Sequence, residues 1–266
     1  MRSIGKVFFF LLITVFYSCE KVIDIKLRES EINYVVEGVI TNEPGGCRVS
    51  ITQTKNFTED NQFAGVSGAT VTIKDNGLTI ALAETQPGVY EATQLKGMQG
   101  HVYELTVSIG DQVFTATYTM PQPVNMDTLY ISEGPFGQFR FATVRYSDPA
   151  GINNGYRFVQ YLNGVKDPEI FWENDEFTDG LSIITQLDTG VDEEDDPRNI
   201  KSGDEVTVEM LSLDEAIYKY WYSIRSGGGD GNGGVAAPAN PLTNIRGGAL
   251  GYFSAHSIDR KTIIAP

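Results

Sequence analysis

Short runs of alternating apolar and polar residues, each ended by a turn sequence, recur along most of this chain. In Cys47–Thr54, for example, Val49 and Ile51 alternate with polar residues. Successive side chains of a strand point to opposite faces, so this alternation predicts a strand with one buried face. About seven such runs, spaced by about 8–12 residues, fall between residues 32 and 120. This spacing is typical of an antiparallel β-sandwich.

Two turn sequences within these residues predict tight hairpins. Asp75–Gly77 and Gly110–Asp111 each separate two alternating runs, and Asn-Gly or Gly-Asp tolerates the positive φ of a two-residue turn. The region resembles the Ig-like and transthyretin-like sandwiches of exported bacterial proteins. The expected fold class is therefore mostly β, with such a sandwich at residues 32–120. A shared architecture does not by itself imply a function.

A second domain is predicted to begin after the strands of the first. Pro121 and Pro123 interrupt the pattern, so we place a boundary there and expect a second β-rich domain at residues 121–266. Its one short helix is predicted from a capping-box pattern, Ser212 with Glu215, and an apolar face. That face would comprise Leu213, Ile217, Tyr220, Trp221 and Ile224, and the helix would end at Gly227–Gly229. Gly251–Ser254 and Thr262–Ile264 are expected to form a closing strand pair.

The first residues have the pattern of a signal peptide. Arg2 and Lys6 precede Val7–Tyr17, an apolar run too short to span a bilayer. Cys19 follows directly, and a Cys in this place resembles the lipobox of bacterial lipoproteins. Residues 1–18 are therefore predicted to be a signal peptide, and residues 19–31 a tether that is lipidated at Cys19. Several acyl chains on one cysteine give stable membrane anchoring.

The formal net charge of −15 argues against nucleic-acid binding, which needs clustered Lys and Arg. Much of the acidity lies in residues 173–209, which hold 13 acidic and two basic side chains. The densest run offers oxygen ligands for a weak Ca²⁺ site, although the EF-hand spacing is absent. The alternative is a solvated loop whose charges repel one another. The residues of this candidate site are Asp192, Glu193, Glu194, Asp195 and Asp196.

No catalytic residues are predicted. Two histidines exclude a three-histidine zinc site. Ser254, His256 and Asp259 are too close on an extended chain to converge as a triad. His256 and the other histidine, His101, are therefore expected to be non-catalytic residues at a surface or a sheet edge. Phe171 and Trp172, beside the acidic residues, are the candidate contacts for a ligand or partner. If Cys19 carries lipid, Cys47 has no partner for an intramolecular disulfide, and it is expected to be a buried thiol.

Three segments carry a family resemblance. They are SCEKVIDIKL near the start, YSDPAGINNGYRFVQY in the middle and ANPLTNIRGGALGYFSAHS near the end. Together they resemble the Bacteroidetes lipoprotein family called domain of unknown function 4249. The resemblance implies partnership with a TonB-dependent outer-membrane receptor and a role in nutrient capture or envelope assembly. The family offers no established catalytic residues to carry over.

The sequence as a whole predicts a non-catalytic lipoprotein of the outer membrane, facing the periplasm or the cell surface. It would bind a ligand or assist a TonB-dependent receptor in nutrient uptake, with no cofactor beyond a weak Ca²⁺ site. Two other classes stay open. One is an envelope-attached carbohydrate hydrolase that uses an Asp/Glu pair, whose spacing is spatial and leaves no sequence signature. The other is a structural or adhesive envelope protein.

Overall fold

A computed structural model of the chain describes residues 31–56, 59–60, 62–134, 139–151, 153–191, 193, 195–227 and 240–266. The predicted signal peptide, Cys19 and nearly all of the tether lie outside these residues. So does the larger part of the Gly-rich loop that follows the predicted helix. Residues 32–266 form one compact unit.

Strands dominate this unit and form three sheets. The largest has the order β12-β11-β15-β16-β1-β2-β6-β5, with β13 also paired to β11. Its strands are β1 (Tyr34–Thr41), β2 (Cys47–Gln53), β5 (Ala83–Gln86), β6 (Val89–Glu91), β11 (Asn154–Leu162), β12 (Val165–Lys166), β13 (Phe171–Asn174), β15 (Glu205–Asp214) and β16 (Leu250–Ile264).

Two smaller sheets complete the fold. A four-stranded sheet has the order β4-β3-β7-β8, and a three-stranded sheet the order β14-β10-β9. Their strands are β3 (Thr70–Asp75), β4 (Leu78–Ala81), β7 (Val102–Ile109), β8 (Gln112–Thr119), β9 (Met126–Glu133), β10 (Arg140–Ser147) and β14 (Ser182–Leu187). The predicted mostly-β class is confirmed, as are the β3–β4 and β7–β8 hairpins.

The helix α1 (Glu215–Gly227) and the three-stranded sheet lie on opposite faces of the large sheet. At β11, Phe158 belongs to the core shared with the three-stranded sheet, whereas its neighbour Arg157 contacts Trp221 of α1. Neighbouring residues of a strand point to opposite faces, so the two layers are separated by the sheet itself.

The predicted boundary at Pro121 does not separate two independent sheets. Strand β16, from the end of the chain, pairs in parallel with β1, so the large sheet contains strands from both sides of the boundary. The boundary does mark the passage between two hydrophobic cores: Met120 belongs to the first and Val124 to the second. The prolines interrupt local pairing, but they do not prevent strands far apart in sequence from sharing a sheet.

The helix begins later than its predicted capping box. Ser212 and Leu213 belong to β15, which pairs with β11 on one side and β16 on the other. Asp214 caps the helix instead, because its Oδ1 accepts a hydrogen bond of 2.9 Å from the backbone N–H of Ile217. Ladder hydrogen bonds on both edges keep Ser212 extended, and its buried Oγ accepts a bond from the N–H of Val124.

The predicted closing strand pair is also wrong. Gly251–Ser254 and Thr262–Ile264 are the two ends of the single strand β16. The first half of β16 pairs with β1 and the second half with β15, so one long strand serves two neighbours. Asp259 and Arg260, which lie between those two segments, are within this strand.

Candidate functional site

The candidate site is built around β13, a short strand that pairs with β11 at one side of the large sheet. Its alternation places Phe171 in the second core, where the side chain is 7 % exposed. Trp172, the next residue, contacts the helix on the opposite face. The pair predicted from sequence therefore straddles the sheet, with one ring in the core and the other beneath α1.

A cleft of about 390 Å³ opens between β13 and β14. Strand β13 belongs to the large sheet and β14 is an edge strand of the three-stranded sheet, so the cleft lies between these two sheets. Aromatic, carboxylate, hydroxyl and amide groups all line it. The lining residues are Phe171, Trp172, Glu173, Thr185, Gln186 and Asp188.

Glu173 is the most desolvated carboxylate of the cleft. Burial raises its pKa above the ordinary value, and the hydroxyl of Thr185 donates a hydrogen bond of 3.3 Å to its Oε1. Tyr146 lies near this carboxylate, on the core side. Burial first, and then the charges of Glu173 and Asp148, raise the pKa of Tyr146. Its hydroxyl is fully buried and has no hydrogen-bond partner among the described residues. The carboxylate of Glu173 accepts one side-chain hydrogen bond, from Thr185, so a ligand in the cleft could donate further hydrogen bonds to it.

Three aromatic side chains pack together where Trp172 meets the helix. The ring of Trp172 makes edge contacts with Tyr218 and Tyr222, with centroids 5.5 Å and 5.0 Å apart. Tyr222 is 46 % exposed, so this group reaches the surface. Edge-to-face contacts hold such rings in fixed orientations. The group therefore gives Trp172 a rigid support at the margin of the cleft.

A second cavity, of about 260 Å³, lies on the other side of β13 and is strongly polar. Its walls carry acids and amides around the ring of Tyr218. They are Asn153, Asn154, Asn174, Asp175, Glu176 and Glu215. Sequence analysis did not identify this cavity, because its residues come from three separate parts of the chain.

Next to it, the carboxylates of Asp148, Asp175 and Asp179 lie within 4.8 Å of one another. Three carboxylates at this spacing have the hard oxygen donors that Ca²⁺ prefers. Each is already engaged by the protein. Asp148 accepts hydrogen bonds from Tyr156 and the N–H of Gly180, and Asp175 and Asp179 accept from backbone N–H groups of residues 154 and 151. These bonds give the cluster a structural role in tying the loop after β10 to the turn after β13.

The acidic run predicted as a weak cation site is only partly described. Asp192 and Glu194 lie outside the described residues, and Glu193 and Asp195 are exposed. Asp196 is engaged by Arg198, with 2.8 Å between Asp196 Oδ2 and Arg198 Nη2. That hydrogen bond lowers the pKa of Asp196. The described carboxylates of this run do not come together as a group of three in the way that the Asp148 cluster does.

The histidine expectation is wrong for His256. It is 5 % exposed on the central strand β16, and its Nδ1 lies 3.1 Å from Ser254 Oγ. Asp259, three residues on, accepts a 2.8 Å hydrogen bond from the N–H of Met126. Odd and even positions of a strand face opposite ways, so the side chains of Asp259 and His256 point to opposite faces of β16. His101 is partly exposed, and its Nδ1 lies 2.7 Å from Asp75 Oδ1.

Cys47 is a buried free thiol, as predicted. It lies in β2 within the first core, and burial raises its pKa to about 12. A thiol with so high a pKa is almost entirely protonated near neutral pH, so it is a poor nucleophile.

Comparisons with known proteins complete the description of the site. Within the described part of the chain, no helix has the length and apolar character needed to cross a membrane. No curated protein matches the chain. Among solved structures, it is similar to a candidate carbohydrate-binding protein from Bacteroides uniformis, with a TM-score of 0.23 and 10 % identity over 87 % of this chain and 98 % of that one. The model of the family described as "Domain of unknown function (DUF4249)" matches residues 20–262, so the chain belongs to that family.

Proposed function

We propose that this chain is a lipid-anchored protein of the outer membrane that binds a ligand or partner without chemical conversion. In this proposal it assists a TonB-dependent receptor in nutrient uptake. The observation that carries the binding role is the open cleft between β13 and β14, which brings Phe171 and Trp172 together with Glu173 and Asp188.

The chemistry of the cleft suits recognition. Aromatic rings supply apolar contact area in fixed orientations, and the carboxylates and the amide of Gln186 supply directional hydrogen bonds. The acidic residues around it favour a neutral or positively charged partner over an anionic one. The Ser254–His256 pair is buried and does not line the cleft.

The binding role is tested by isolating the tagged protein from detergent-solubilised envelopes and measuring the outer-membrane barrel recovered with it. Trp172→Ala removes the more exposed of the two aromatic residues that line the cleft, and we expect at least a fivefold loss of recovered barrel. Phe63→Ala is the matched control, because Phe63 is an exposed aromatic residue outside the cleft. A thermal melt of each variant checks the fold. Equal recovery with the folded Trp172→Ala variant would contradict the proposal.

The anchor is tested separately, because it depends on Cys19, outside the described residues. Cys19→Ala removes the thiol that would carry the acyl chains, so we expect the protein to move from the membrane fraction to the soluble fraction. Cys47→Ala is the control, since that thiol is buried and cannot be acylated in the folded protein. Unchanged fractionation of the Cys19 variant would exclude the lipid anchor.

A second candidate function, carbohydrate hydrolysis, has one observation in its favour. The cleft holds two carboxylates, Glu173 and Asp188, and the raised pKa of Glu173 is a property of general acids. Reducing-sugar release from a panel of polysaccharides tests it. We expect no sugar release. If the wild-type protein hydrolyses a polysaccharide and Glu173→Gln abolishes this activity, the protein is a hydrolase and the proposed non-catalytic role is wrong. If the protein releases no sugar and no outer-membrane barrel is isolated with it, the results would favour the third class, a structural or adhesive protein.

A further inference from the structure

Arg157 lies on β11 under the helix, and among the described residues its charge has no partner of opposite sign in contact. Its guanidinium carbon is 3.6 Å from the centroid of the Trp221 ring, a stacked cation–π geometry. None of the ion pairs and side-chain hydrogen bonds of the described residues includes Arg157. Other described cations without an ion pair, such as Lys96 and Lys166, are exposed, whereas Arg157 is half-buried.

The guanidinium is divided between a buried and an open side. Its Nε is fully buried without a hydrogen-bond partner, whereas Nη1 and Nη2 are not among the fully buried unpartnered atoms of the described residues. Since no hydrogen bond among the described residues includes these two nitrogens, each keeps some solvent-accessible surface. The outer pair of N–H donors, which forms the fork of the guanidinium, is therefore accessible.

The carboxylate that acts on Arg157 from the same face is already engaged. Glu209 Oε1 lies 2.6 Å from Nη2 of Arg260 and accepts a second bond of 2.8 Å from Nε of the same residue. The hydroxyl of Tyr161 donates to the other oxygen of Glu209. Arg260 and Tyr161 thus occupy both oxygens of Glu209, and Arg260 also pairs with Glu43. Arg157 makes no hydrogen bond to Glu209, whose charge acts on it without direct contact.

A half-desolvated cation with a free planar fork is costly unless an anion completes it. Burial lowers the pKa of Arg157, which reflects the same cost. A carboxylate matches the fork with two parallel hydrogen bonds. One cation in a chain with a net charge of −15 suits a singly charged carboxylate better than a doubly charged phosphate.

We infer that Arg157, held flat against Trp221, binds the carboxylate group of a small ligand. The indole covers one face of the guanidinium, so the anion approaches in the plane of the fork, at Nη1 and Nη2. This site is distinct from the cleft between β13 and β14, whose lining does not include Arg157. It requires neither the lipid anchor nor a receptor.

The test is a titration of the full chain with sodium acetate, followed through the indole N–H signal of Trp221 and the Nε–H signal of Arg157 by NMR. Trp221→Phe and Arg157→Lys assign the two signals. We expect both to shift with saturation as acetate is added. Sodium chloride at equal ionic strength is expected to leave them in place.

Two variants separate a fork from a mere positive charge. Arg157→Lys keeps the charge but loses the fork. We expect the apparent Kd for acetate, measured from the Trp221 signal, to rise at least tenfold. Arg145→Lys is the control, because Arg145 is an exposed arginine whose guanidinium donates to Thr128 rather than to an anion. If Arg157→Lys does not fold, the saturation of the two wild-type signals decides the matter. Linear shifts, equal shifts with chloride, or full acetate affinity in the folded Arg157→Lys variant would overturn the inference.

Discussion

At the scale of single residues, the burial of His256 links the protonation of an imidazole to the stability of the fold. This side chain is 5 % exposed on the central strand β16, and does not lie at the surface or sheet edge expected from the sequence. Burial, with a smaller contribution from the positive charge of Arg157, lowers its pKa to about 3. The imidazole is therefore neutral in the folded protein over most of the acidic range, while in the unfolded chain it protonates near its ordinary pKa of about 6.5.

This difference predicts a pH dependence of stability. Below pH 6.5 the unfolded chain takes up a proton that the folded chain does not, so the free energy of unfolding falls as the pH falls. Between pH 7 and pH 5, His256 should account for a loss of about 2 kcal/mol. Urea unfolding at both pH values, in wild type and in His256→Gln, measures it as the difference between the two losses. His101→Gln is the control, because His101 is partly exposed and pairs with Asp75. A loss as large in His256→Gln as in wild type would contradict the prediction.

At the scale of elements, the parallel pairing of β1 with β16 depends on one glycine. Gly251 has a φ of +97°, and a Cβ added there would collide with the backbone carbonyl of Val36 on β1. Gly251→Ala is therefore expected to cost more than about 3 kcal/mol of unfolding free energy, from strained backbone and a lost strand contact together. Gly110→Ala is the matched control, since Gly110 also has a positive φ but open space around it. It should cost about 1 kcal/mol. Equal costs in a chemical denaturation experiment would show that close approach is not what selects Gly251.

Elements set by local sequence are the ones that could be predicted. The hairpin at Asn76–Gly77 follows from residues that tolerate positive φ, and both adopt it. The helix start could not be placed, because Ser212 is a good cap in isolation and stays in β15 only through pairing with distant strands. The residues of the cleft also differ in how far local sequence predicts them. Phe171 and Trp172 stand out in the sequence, whereas Thr185 and Asp188 join them only because two sheets meet there. Neither the burial of His256 nor the isolation of Arg157 has a local signature.

At the scale of the whole molecule, the two hydrophobic cores are joined by the large sheet. The first core consists of buried apolar side chains from residues 36–120, together with Phe253, Ile217 and others from later in the chain. The connection between the cores is tied down as well: the N–H of Val124 donates to Ser212, and the N–H of Met126 donates to Asp259. These contacts join segments about a hundred residues apart. The apolar surface that stabilises residues 32–120 is thus supplied in part by the far end of the chain.

This arrangement predicts that residues 32–120 do not fold alone. Without β16, the fragment leaves one edge of β1 unpaired and exposes the side chains of the first core that Phe253 and α1 cover. We expect the purified fragment to show no cooperative thermal transition, and to gain one when mixed with residues 121–266. Cutting instead within residues 228–239 of the intact chain is the control, because that cut leaves β1, β16 and both cores connected through the same contacts. Circular dichroism melts of the three samples decide it. A cooperative transition in the isolated fragment would mean that the first sandwich is an independent domain, as the prolines at 121 and 123 suggest.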